Sequence, residues 1–144
     1  VRSLELLPDQ ATTANSLAWH YVIGPERLRD PQKALPLAER AVRLGNEAPA
    51  YVDTLGVVYY RLERFEEAIT NLEKAAEGFK GQPIPSTYFV LAMCYQRQGN
   101  AEKAKRLFNE ALAQRKAMPE SDPSITSGEL GGLQAEAEKL LGGN

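Results

Sequence analysis

Among its 144 residues this chain has one cysteine, one histidine, one tryptophan and two methionines. A lone cysteine closes no internal disulfide. The single histidine and single cysteine together exclude nearly all Cys/His metal sites as well. A basic excess is also lacking, since 17 Lys and Arg stand against 19 Asp and Glu for a formal net charge of -2. General nucleic-acid binding, which draws on such an excess, is therefore disfavoured. No apolar run approaches the roughly 18 residues a helix needs to cross a bilayer. There is no glycine-rich phosphate loop, no His-Glu-x-x-His and no Gly-x-Ser-x-Gly. What is present is ordinary globular composition, 43% hydrophobic and 25% charged, with enough apolar material for a core.

The chain repeats itself. Leu17-Ala18-Trp19-His20-Tyr21, Leu55-Gly56-Val57-Val58-Tyr59 and Leu91-Ala92-Met93-Cys94-Tyr95 share a leading Leu, a small residue and a closing Tyr. Each is followed by a second signature: Ala34, Ala38, Ala41; then Ala68, Leu72, Ala75; then Ala104, Phe108, Ala111. Offsets of four and three put each trio on one helical stripe. Small residues at fixed places on two successive helices let their backbones approach closely, so each unit reads as a helical hairpin. One hairpin cannot bury its apolar stripe alone, whereas several stacked in a row can.

Element ends agree with this reading. Asp30-Pro31 is an N-cap followed by Pro in the first turn, and Gly99-Asn100 is a tight turn. Glu63-Arg64-Phe65 does the same job without glycine. Helices are expected at 11–23, 31–45, 50–62, 65–79, 86–98, 101–116 and 129–141. Pro36 predicts a bend or a wide first turn in the second of these. A polar loop spans 119–128. Beyond it Leu130, Leu133, Ala137, Leu140 and Leu141 form the apolar stripe of a last helix that seals the open end of the stack. Gly131-Gly132 predicts a frayed first turn there.

Leu-Gly-x-x-Tyr followed by Ala-x-x-x-Leu/Phe-x-x-Ala resembles the tetratricopeptide repeat. The resemblance implies an all-α, right-handed superhelical solenoid of about three hairpins plus a capping helix. Its units would be 11–46, with a turn insertion between Tyr21 and Ala34, then 49–82 and 85–118, with the cap at 129–142. Residues 1–10 read as the remnant of a preceding repeat helix. The family's early Trp is replaced by Ala14, Val52 and Tyr88, and its late Pro by Lys80 and Lys116. Residues 14–144 also resemble the C-terminal repeat arrays of large bacterial multidomain proteins with kinase-like or WD40-type domains, which implies a longer parent chain and a cytoplasmic setting.

Catalytic candidates reduce to structural readings. His20 and Cys94 fall at one repeat position, shared with Val58, and read as a helix-packing residue and a buried thiol. Glu63, Glu66 and Glu67 lie among Arg61 and Arg64 as a solvated charged face. Lys103, Lys105, Arg106, Arg115 and Lys116 alternate with Glu102 and Glu110 and read as solubilising rather than RNA-binding. The expectation is a non-enzyme that needs no cofactor or metal.

The family resemblance implies a concave groove, lined by first helices, that takes a peptide or helix of a partner protein. Carried over position by position, it would be lined by Asn15 and Trp19, by Asp53, Val57, Tyr60 and Arg61, and by Phe89, Met93, Gln96 and Arg97. The same positions also suit packing between helices. Trp19, Thr54, Ser86 and Val90 supply none of the charged donors with which some members clamp a free C-terminal carboxylate. A structural spacer or self-association element is the alternative function. Neither nucleic acid nor membrane is expected as a partner.

Overall fold

The computed structural model describes residues 2–142, with side chains from Gln10 onward. Its helices are α1 (Arg2–Ile23), α2 (Pro31–Leu44), α3 (Pro49–Arg61), α4 (Phe65–Gly78), α5 (Pro85–Arg97), α6 (Ala101–Lys116), α7 (Pro123–Thr126) and α8 (Glu129–Gly142). A 3-10 turn at Glu26–Leu28 joins α1 to α2, and no strand occurs among the described residues. The chain divides after Gly78 into two compact units.

In the first unit α1 pairs with α2 and α3 with α4, while α3 also packs on both α1 and α2. Small residues sit at the closest approaches. Ala18, Ala34, Ala38 and Ala41 have no exposed surface. Gly56 lies against Leu72, itself fully buried. The insertion in the first hairpin leaves its closure intact. Asp30 N–H donates to the Tyr21 carbonyl at 2.9 Å, as Arg64 N–H does to Tyr59 at 2.9 Å. The extra residues fold over the 3-10 turn, and Arg29 Nε pins them by donating to the Gly24 carbonyl at 2.8 Å. In the α3–α4 turn Glu63 takes a left-handed backbone (φ 62°) where the α5–α6 turn has Gly99 at φ 86°. That is the strain expected of a turn built without glycine.

Two expectations need correction here. The first helix starts earlier than the expected 11: α1 runs from Arg2 through Pro8 to Ile23, and Pro8 removes one backbone bond without ending it. Val1 lies outside the described residues. Pro36 does not loosen α2, which is unbroken from Pro31 to Leu44. Lys33 and Ala34 N–H both reach the Asp30 carbonyl at 3.1 Å, so the first turn is closed. The fully buried Ala34, Ala38 and Ala41 hold that face of the helix in place while exposed Pro36 points to solvent. Pro36→Ala restores a donor to the Gln32 carbonyl and should stabilise the protein by about 2 kcal/mol. A urea titration will show this as a higher midpoint at unchanged slope.

In the second unit α5 and α6 form the hairpin and α8 packs chiefly on α5, with α7 against α8. Phe89 and Val90 through Cys94 are all buried, Ala92 completely. Asn100 N–H closes this turn on the Tyr95 carbonyl at 2.9 Å, and the Asn100 side chain caps α6 through Lys103 N–H at 3.2 Å. The loop expected at 119–128 contains α7, capped by Asp122 through Ser124 N–H at 3.0 Å and Ser124 Oγ at 2.7 Å. Leu130, Leu133 and Ala137 of α8 are buried, whereas Leu140 and Leu141 stay partly exposed. The first turn of α8 is formed despite Gly131-Gly132, with Gly132 N–H on the Gly128 carbonyl at 3.0 Å.

Candidate functional site

The α1 residues Asn15, Trp19 and Val22 share one stripe, and their repeat equivalents on α3 are Asp53, Val57 and Tyr60. Within the first unit these stripes differ in how much they leave at the surface. Asn15 and Trp19 are partly buried, but Asp53, Val57 and Tyr60 are only 9%, 1% and 4% exposed. The Tyr60 ring packs on Phe65 with centroids 5.7 Å apart, and the Arg61 guanidinium lies 5.5 Å from the Tyr60 ring centroid. Arg61 Nε donates to the Val22 carbonyl at 2.8 Å. That carbonyl is one of the last in α1 and has no partner within its own helix, so Arg61 closes the end of α1. Asn15 Oδ1 is buried and accepts no hydrogen bond.

In the second unit Phe89 and Met93 have no exposed surface, and the Phe89 ring meets Phe108 with centroids 5.5 Å apart. Gln96 is partly exposed and Arg97 exposed. Five of the ten expected groove residues, Asp53, Val57, Tyr60, Phe89 and Met93, are thus buried in this structure. The spacing that defines an inner face also defines positions pressed against neighbouring helices, and large apolar side chains there turn inward. Surface remains at Asn15, Trp19, Arg61, Gln96 and Arg97.

The other sequence candidates carry no catalytic geometry. His20 is exposed on α1. Arg64 forms a two-point pair with Glu67 at 2.7 and 2.6 Å on the solvent side of α4. Lys103 Nζ lies 4.5 Å from the Tyr95 ring centroid. No three His, Cys, Asp or Glu side chains gather as metal ligands among the described residues. None of the described helices is long and apolar enough to cross a membrane. Cys94 is fully buried, and burial pushes its thiol up to about 12. The fold therefore favours the neutral thiol. Its contribution is complete below the ordinary thiol pKa of about 8.5 and is lost as pH rises from there through about 12. The native protein should resist a thiol-specific reagent at pH 8 by at least a hundredfold over the denatured chain. Rapid native labelling would contradict the buried assignment.

Sequence reasoning missed one surface. Between α6 and α8 lie two open clefts of about 620 and 580 Å³, the first lined by Lys105, Phe108, Glu138 and Leu141, the second by Leu112, Arg115 and Gln134 among others. They exist because α8 leans on α5, and no residue in α6 announces that choice.

A tetratricopeptide-repeat family model matches residues 46–117. No curated protein and no solved structure matches the chain. Repeats of this family are non-catalytic scaffolds that mediate protein–protein contacts. The match spans half of the sequence and covers two of the three hairpins whose small residues nest in the structure, so the chain belongs to the tetratricopeptide repeat family.

Proposed function

We propose that the first unit binds an extended segment of a partner protein along the α1 stripe of Asn15 and Trp19, and that the chain acts by binding alone. The observation that supports this reading is the Asn15 amide oxygen, buried and without a hydrogen-bond partner. Such an acceptor costs a folded protein about 1–3 kcal/mol. When the Asn15 side chain turns outward it offers this acceptor to a backbone N–H, and extended peptides present N–H groups at regular intervals. Trp19, one turn further along, supplies the large aromatic contact on which binding energy tends to concentrate. Arg61 stays on the Val22 carbonyl and keeps the end of α1 ordered.

Trp19 is the only tryptophan in the chain, so its emission reports directly on this stripe. Titrating the protein with an array of end-blocked synthetic peptides should yield binders that shift Trp19 fluorescence. Asn15→Leu removes the unpaired acceptor, so it should raise the melting temperature of the free protein while weakening those binders tenfold or more. Binders that leave the emission unchanged, or that bind Asn15→Leu equally well, would refute the reading.

A further inference from the structure

Of the two clefts beside α6, the second is walled by three successive elements: the end of α6, the segment running into α7, and α8. Gly142, the last described residue, lines the first cleft and not this one. Leu112 of α6, Met118 in the connection and Ile125 of α7 line it, and each keeps part of its surface exposed. Three large apolar side chains from three segments thus meet at a concavity without being sealed in it. Its volume of about 580 Å³ is that of a ligand cleft.

Two cations, Arg115 and Lys116, line the same cleft, with Glu120 as its one carboxylate. Among the described residues neither cation forms an ion pair, whereas Arg64 holds Glu67 and Lys74 holds Glu47. Arg115 Nη1 donates to Gln134 Oε1 of α8, and Gln134 Nε2 donates to Glu138 Oε2 at 3.3 Å. A neutral amide therefore takes one of the five guanidinium donors and no carboxylate competes for the others. Basic residues in a last helical turn complement the helix dipole, which accounts for cations here but not for the bare apolar side chains beside them. The repeat does not account for them either. The equivalents of Leu112 and Arg115 are Ala76 and Phe79 in the second hairpin, and Val42 and Gly45 in the first.

From this pairing of charge and apolar surface we infer that the cleft binds an acidic segment of a partner protein. One carboxylate of the segment pairs with Arg115 and Lys116, and a neighbouring leucine or phenylalanine side chain packs on Leu112, Met118 and Ile125. Charge complementarity selects this occupant. A carboxylate matches a guanidinium at two points, and arginine clusters are a recurring means of recognising acidic motifs. The apolar side chain covers surface that α6, α7 and α8 leave bare, and an arginine beside such an anchor is where binding energy concentrates. The site lies wholly within the second unit and stands independently of the reading of α1.

The test is calorimetric titration of the 144-residue chain with short end-blocked peptides that carry a single Glu beside Leu or Phe. End-blocking removes the terminal carboxylate, so the side chain supplies the only anion. Binding should weaken at least tenfold when the peptide's Glu becomes Gln, and at least tenfold when Arg115→Gln replaces the native protein. It should also weaken with added salt, as an ion pair at an open cleft does. If Arg115→Gln melts early, Lys116→Gln takes its place with the same expectation, since Lys116 is exposed and makes no ion pair. Inorganic phosphate that binds as tightly as the peptides would make this a site for free anions and overturn the inference. So would no binding at millimolar peptide, equal binding of the Gln peptides, or binding that the variants leave unchanged.

Discussion

Gly56→Ala is expected to destabilise the first unit by about 2 kcal/mol, although alanine is the better helix former by roughly 1 kcal/mol. A Cβ at this position would stand 2.6 Å from Leu72 Cγ, 2.8 Å from its Cδ2 and 3.3 Å from its backbone nitrogen. Leu72 is fully buried and has nowhere to retreat, so α3 and α4 must separate. Overpacking of this kind costs 1–3 kcal/mol, sometimes more, which outweighs the propensity gain. Gly131→Ala is the internal control. A Cβ there meets no atom within 4 Å, so the same substitution should stabilise by about 1 kcal/mol. Opposite signs in two urea titrations would establish that glycine at 56 is chosen for close packing.

Phe89→Ala is expected to lose about 3–5 kcal/mol, a large part of the 5–15 kcal/mol that holds a typical domain folded. The side chain has no exposed surface and its ring is fitted against Phe108. Truncation leaves a cavity that two neighbouring helices cannot collapse. A groove residue would behave oppositely, with little change in melting temperature and a loss of binding. Thermal unfolding followed by circular dichroism separates the two cases, and a drop below about 1 kcal/mol would return Phe89 to the surface.

The hairpins were legible because their signals are local. Small residues at 18, 56 and 92, alanine stripes on the second helices, the Asp30 cap and the Gly99-Asn100 turn all act within a few turns. Asp122-Pro123 carries the same signal as Asp30-Pro31 and announces α7, but a four-residue helix inside a polar stretch is too short to set a period. The fate of Leu17 and Leu55 could not be read in this way. Both occupy the same repeat position, yet one is 46% exposed and the other 8%, because what covers a repeat residue is a neighbouring helix rather than its own pattern. The seat of α8 on α5 escaped for the same reason, and with it the clefts beside α6. The expected groove positions divide between exposed and buried side chains. The inner-face spacing picks out Asn15 and Trp19, which keep some exposed surface, but it cannot tell an apolar side chain offered to a ligand from one spent on packing, as Phe89 and Met93 are.

The central claim is that an unpaired acceptor on α1 awaits a peptide donor. It is tested most directly by a proton–nitrogen NMR spectrum of the labelled protein recorded with a peptide from the fluorescence array. The account predicts that the Asn15 side-chain amide and the Trp19 indole resonances move most, with neighbouring α1 and α3 amides following. Shifts confined to the second unit, or to Thr13 and Leu17 on the other stripe of α1, would contradict it.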